Sequence, residues 1–249
     1  MKRGLIRQFL MVPGLAVIII LWWLATRSLT GIFVAFTPVH TLAALIKMLS
    51  DGSLLHNTLI SLQRVCIGLV FAIVVGLPVG ILMGYFRTLE QLSMPVLQLL
   101  RMISPLSWMP IAVMVLGVGD HPVWFLLSFA AVWPVIFSTA SGVKQLSPHW
   151  LIQARAASAT PWETLCYVVL PGILGHIFTG LRLAIGILWI VLVPCEMLGV
   201  SSGLGYAILD ARDSLDYSGL MAVIVTIGVV GFIMDCLMRC LLRPFSTIR

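Results

Sequence analysis

Five charged side chains fall inside stretches that are otherwise apolar: Arg64, Arg101, Arg182, Glu196 and Asp235. In a hydrocarbon setting each costs about 2.5 to 3.5 kcal/mol on insertion scales, so each must be paired, or must meet water or a charged solute. Arg182 and Glu196 stand fourteen residues apart, close to four helical turns, and would share one helix face about 21 Å apart along the axis. They cannot neutralise one another. Asp235 has Arg239 one turn further on as its natural partner. For Arg101 and Arg182 two readings stand side by side: snorkelling to the inner interface, or contact with a transported anion. For Glu196 the two are a hydrogen bond to the Gly-rich turn that follows it and a place on a solute pathway.

Other chemistry finds little support. The run Gly199-Val200-Ser201-Ser202-Gly203 has the letters of a nucleophile elbow, yet no histidine follows it to complete a triad in the usual hydrolase order. His40, His56, His121 and His149 fall at expected element ends, where isolated histidines are solvated. The five cysteines form no CxxC pair and are expected as free thiols. A GxxxxGK[ST] loop is lacking and no metal constellation is visible, so no nucleotide, cofactor or metal site is expected on this chain.

The elements that must carry these charges are membrane helices. Of 249 residues 60% are hydrophobic and 10% charged, with a mean hydropathy of +1.10. A bilayer core about 30 Å thick takes about 20 apolar residues per helix. The chain therefore reads as one all-α polytopic domain, 1–249, with about six transmembrane helices. A formal charge of +6 spread between long apolar runs points to membrane orientation rather than to nucleic acid.

The expected spans run over Phe9 to Ala25, Leu59 to Tyr85, Leu89 to Gly117, His121 to Gln145 with a bend at Pro134, Gly172 to Gly199, and Leu220 to Leu242. Leu42, Leu45, Ile46 and Leu49 predict a helix lying at the surface. Gly76, Gly80 and Gly84 repeat at one-turn spacing, a flat stripe for close helix packing. The third span is interrupted at Ser104-Pro105 and Pro110; broken backbone at membrane depth survives only inside protein or beside water, so Arg101, Ser104 and Pro105 join Arg182 and Glu196 as candidate pathway residues.

Six spans put both termini on one side. Nine basic residues (Lys2, Arg3, Arg7, Arg87, Lys144, Arg155, Arg239, Arg243, Arg249) fall there, against three (Arg27, Lys47, Arg212) with five aspartates on the other. Positive charge stays in the cytoplasm, which predicts cytoplasmic termini and a cytoplasmic loop at 147–171. That loop carries two helix starts. Ser147-Pro148 is one, and Thr160-Pro161 with Glu163 three residues after Thr160 is the other, a capping box. A folded helical pair between two spans reads as a docking element for a soluble partner, with Trp162 and Leu165 expected on its apolar face.

The residues of this loop carry a resemblance. Gln153, Ala154, Arg155, Ala156, Ser158, Ala159, Thr160, Trp162, Glu163, Leu165, Leu170 and Pro171, continuing into Ile177 to Gly186 and Glu196-Met197-Leu198, resemble the EAA loop and following span of binding-protein-dependent ABC importer permeases. The nitrate/bicarbonate, sulfonate and taurine branch is the most similar. Phe36 to Leu42, Ser61 to Leu69, Gly76 to Gly84, Arg101 to Asp120 and Gly203 to Ile208 extend the likeness over nearly the whole chain. Positions usually Glu-Ala-Ala hold Ile152, Gln153 and Ala154, and the usual Gly is Ser158. The resemblance implies a type I (MetI-like) fold in the bacterial inner membrane, and a loop that seats in a groove of an ATPase. It also implies a second permease copy, two ABC ATPase subunits and a periplasmic substrate-binding protein. Small anions are the implied cargo, with a heterocyclic vitamin precursor as the alternative. A secondary transporter would call for an inverted repeat, and none is visible.

Overall fold

A computed structural model describes residues 2–28 and 31–242, with side chains described from Pro13 onward, apart from Leu15 and Ile32, to Cys240. Helix α1 (Lys2–Thr26) coincides with the first expected span, but residues 1–12 lie outside the described side chains, as do Arg243 and Arg249. A 3-10 turn (Gly31–Phe36) follows, tied to α1 by the Trp22 indole N–H donating to the Phe36 carbonyl at 3.0 Å. The surface helix expected near Leu42 is α2 (Pro38–Ser50), which exposes Leu42, Ile46 and Leu49 and turns Leu45 onto a cluster of Leu54, Leu204 and Val223.

Among the described residues four helices are long and apolar enough to cross a membrane, or five if the broken third span counts as one. They are α3 (Ser53–Tyr85), α6 (Asp120–Lys144), the helix ending in α9 (Leu170–Gly199) and α11 (Tyr217–Leu242). The centre is α6, the most buried of them, flanked by α3 and α9. It runs helically through Pro134.

The glycine stripe explains why α3 lies so close to α6. A Cβ on Gly76 would stand 2.8 Å from Val135 Cγ1, and one on Gly80 would stand 2.8 Å from the Ile136 carbonyl oxygen. With hydrogens in those places the two backbones approach and their dispersion contacts close without voids, which is what holds helices together where lipid offers no hydrophobic gradient. Leu126, Leu127, Leu188 and Leu192 fill the layer between α6 and α9.

The third span breaks as its prolines dictate. Helix α4 (Arg87–Met102) stops, Ile103 and Ser104 are extended with ψ of 125° and 130°, and a 3-10 turn (Pro105–Trp108) leads into α5 (Met109–Leu116) at a bend of 85°. The ring of Pro105 drives Ser104 out of the helical region. Pro110, by contrast, is absorbed in the first turn of α5, where no amide donor is needed.

The loop departs from expectation in one respect. Helix α7 (Pro148–Ala156) is separate, but α8 (Pro161–Thr164) does not end before the fifth span. Through a π-helical turn (Leu165–Val169) it continues into α9 as one helix of 39 residues, Pro161–Gly199. Leu165, Val169, Ile173 and Ile177 recur every four residues along it and pack with Val143, so a single apolar stripe holds loop and span in one rod. The widened turn falls where Pro171 in a regular helix would crowd the Tyr167 carbonyl. On the opposite face a short helix, α10 (Leu204–Asp213), connects α9 to α11.

Candidate functional site

The capping box at Thr160 is complete. The Thr160 amide donates to the Glu163 carboxylate at 2.7 Å, and the Glu163 amide returns a bond to the Thr160 hydroxyl at 3.3 Å. The Thr160 amide first, and then the Thr160 hydroxyl, which donates to the same carboxylate at 2.8 Å, favour the charged form and hold the Glu163 carboxyl below the usual carboxylate range. Ser147 has the extended backbone of a cap, but its side chain makes no capping bond.

Ser158 ends α7 in the left-handed region at φ 57°. Its amide bonds the Arg155 carbonyl at 2.9 Å and the Ala159 amide bonds the Ala154 carbonyl at 3.0 Å, the paired closure of a Schellman motif. Glycine suits that position because a Cβ is strained there, which gives the substitution at Ser158 a physical consequence.

The two residues expected on one docking face part company. Trp162 is 71% exposed, whereas Leu165 turns inward onto Val169 and Ile173. The outward apolar groups are Trp150, Ile152, Trp162 and Tyr167. Ala154 is buried, Leu170 is half-buried, and Gln153, Arg155, Ala156 and Pro171 are exposed. Trp150, Gln153 and Tyr167 border a hollow on the outward side.

At the far end of the same long rod lies a buried ionic knot. Glu196 is fully buried and accepts from Arg64 Nη1 at 2.7 Å, from the Ser61 hydroxyl at 2.8 Å and from the Gly205 amide at 2.8 Å. Arg64 is engaged at all three of its guanidinium nitrogens. Nε and Nη2 reach Asp120 at 2.9 and 2.7 Å, Nη1 reaches Glu196 and the Ser202 carbonyl, and Nη2 reaches the Ser202 hydroxyl at 2.9 Å. Gly203, at φ 103°, sits against the Glu196 carboxylate where any side chain would collide, and its amide donates to Asn57 at 3.0 Å. The knot joins α3, α6, α9 and the start of α10. Sequence reasoning missed Asn57, Ser61, Asp120 and Ser202 as members; the signal available was the pairing of Glu196 with a Gly-rich turn, and nothing in the spacing pointed from residue 196 back to residue 64.

The other membrane charges are placed differently. Arg182 Nε donates to Asp235 at 3.2 Å, and Asp235 also pairs with Arg239. Arg101 has no carboxylate partner among the described residues; its guanidinium lies 5.5 Å from the centroid of the Phe137 ring. A cation–π contact supplies about 0.5 to 2 kcal/mol, which falls short of the roughly 2.5 to 3.5 kcal/mol that a membrane arginine costs. Ser104 is exposed at the helix break and Pro105 half-buried beside it. No group of three metal-ligating side chains occurs among the described residues.

Residues 76–246 match the family described as binding-protein-dependent transport system inner membrane components. The bicarbonate transport system permease protein CmpB of Synechococcus elongatus is 38% identical over 74% of this chain and 67% of its own length. The taurine transport system permease protein TauC of Escherichia coli is 31% identical over 95% and 88%. Among solved structures, an inward-facing MetNI methionine ABC transporter superposes with a TM-score of 0.61 at 17% identity, covering 74% of this chain and 92% of that one, so it shares the fold. The expected kinship holds across most of the chain: this protein belongs to the family of binding-protein-dependent transport system inner membrane components, the permeases of ABC importers.

Proposed function

We propose that the chain is half of a membrane pore through which a small anion (a sulfonate such as taurine, nitrate, or bicarbonate) passes from a periplasmic binding protein to the cytoplasm. A second copy of the permease completes the pore. Two ATP-hydrolysing subunits, which hold ATP and Mg, dock on the cytoplasmic side against the 147–171 loop, and both termini lie on that side of the bacterial inner membrane. Positive charge concentrated on the loop's side supports the orientation. The relatives named for bicarbonate and for taurine favour an anion over a heterocyclic vitamin precursor as cargo.

The observation that carries this reading is the rod Pro161–Gly199. One end presents Trp162 and Tyr167 to solvent, and the other is fastened by Glu196 to Arg64 of α3, which in turn holds Asp120 of α6. A rigid element with a docking face at one end and a buried anchor at the other moves as a unit. ATP-driven closure of a soluble pair pulling on Trp162 therefore tilts the spans around Glu196, an alternating-access motion. The coupling free energy is the difference in contact between the loop and the two states of the ATPase.

Affinity purification of the permease from its native membrane tests the reading. An ATPase subunit should accompany it, and its hydrolysis should rise when loaded binding protein is added. Solute uptake by the purified permease with no ATPase present would refute it.

A further inference from the structure

Three arginines lie within the expected spans, Arg101 in the last turn of α4 before the break, and the structure disposes of their charges in three ways. Arg64 is engaged at all three guanidinium nitrogens, by two carboxylates, a carbonyl and a hydroxyl. Arg182 shares Asp235 with Arg239. Arg101 is left with only the face of Phe137 among the described residues.

Snorkelling does not account for Arg101. Phe137 stands seven residues before the end of α6 at Lys144, about 10 Å along the axis. Lys144 pairs with Glu90 at that inner end, and the Arg101 guanidinium lies on Phe137, deeper than this pair. The backbone beyond Arg101 is the broken stretch, where the chain turns by 85° and where Ser104 and Ser107 are exposed with hydroxyls that bond nothing among the described residues. Broken backbone at this depth borders a water-filled path or another protein surface rather than lipid.

Resting on the reading of the chain as an anion-importing permease, we infer that Arg101 is the anion station of the pathway, with the Ser104 and Ser107 hydroxyls as further donors along the break. Its ligand class is a small oxoanion. Nitrate, bicarbonate and a sulfonate all present an edge of two oxygens that fits a guanidinium fork. A single fixed charge, cushioned by an aromatic ring and not by a carboxylate, attracts an anion while leaving no competing counter-ion to displace, and one such site holds cargo loosely enough to pass it on. Arg64 and Arg182 are structural by the same reasoning.

The test uses the whole complex in proteoliposomes, permease with its ATPase and binding-protein subunits, and whichever of nitrate, bicarbonate or taurine the wild type takes up. Two readouts are followed, uptake and binding-protein-stimulated ATP hydrolysis. Arg101→Ala and Arg101→Gln should lower uptake about tenfold or more while stimulated hydrolysis stays within about twofold of wild type. Arg101→Lys should recover part of the uptake, since it keeps the charge and loses the fork. Arg182→Ala should leave uptake within about twofold. Unchanged uptake in Arg101→Ala overturns the inference. So does loss of stimulated hydrolysis in all three Arg101 variants, which marks a structural role. A wild-type complex that hydrolyses ATP with its binding protein but moves only an uncharged solute also overturns it, while the importer reading stands. A wild-type permease with no ATPase partner overturns both.

Discussion

Arg64 on α3 and Glu196 on α9 meet at 2.7 Å with side chains 3% and 0% exposed, so the bond crosses from one membrane helix to another with no solvent around it. Asp120, the other acid on Arg64, has a side chain 47% exposed. The two carboxylates therefore differ in what their loss does. Glu196→Gln takes the buried partner from Arg64 and should destabilise the permease by about 3 to 5 kcal/mol, whereas Asp120→Asn, which alters a half-exposed acid, should cost no more than about 1 kcal/mol. Thermal unfolding of the detergent-purified permease compares the two directly; equal losses would place Asp120, not Glu196, at the centre of the knot.

Ser158 holds a left-handed conformation that a Cβ disfavours. Ser158→Gly should stabilise the loop by about 1 kcal/mol, and Ser158→Val should destabilise it by more. Resistance of the 147–171 loop to proteolytic nicking measures both, and a Gly variant that is cut faster than wild type would contradict the motif.

Trp162 and Leu165 sit three residues apart on one rod, yet Trp162 is exposed and Leu165 packs against Val169 and Ile173. Trp162→Ala with Ile152→Ala removes outward surface only, so the permease should keep its stability and lose ATPase association or stimulated hydrolysis. Leu165→Ala opens the cluster around Val169 and should cost about 2 kcal/mol of stability instead. Pull-down of the ATPase alongside thermal unfolding separates the outcomes, and normal coupling in the Trp162/Ile152 variant would count against the docking face.

Glu163 supplies a pH dependence whose sign is fixed. Hydrogen bonds from the Thr160 amide and hydroxyl depress its carboxyl in the folded loop, so the cap contributes above the unfolded value of about 4.3 and is lost as pH falls through the lower folded value. Hydrogen exchange of the amides at Trp162 to Thr164 should therefore lose protection as the pH drops below about 4, beyond the intrinsic rate change. In Glu163→Gln that extra loss should vanish.

Much of this protein was legible in its sequence, for reasons local to it. Apolar runs long enough to cross a bilayer place the spans, because hydrocarbon leaves the backbone no partner but itself. The box at Thr160 and Glu163, the break at Ser104-Pro105 and the stripe at Gly76, Gly80 and Gly84 were equally visible, since each acts within a few residues of chain or sets one helix face. The family followed from the loop and the motifs around it.

What the tertiary structure decided depends on distance in sequence. Arg64 and Glu196 are 132 residues apart and Arg182 and Asp235 are 53 apart, and no periodicity says which buried charge a given arginine will meet. The direction of Leu165 was hidden for a related reason. A capping box announces a helix but not its far end, and only the packing of Leu165, Val169, Ile173 and Ile177 on Val143 made loop and span a single rod. Partner choice and rod length are set by which surfaces close on one another, and that is a property of the folded chain.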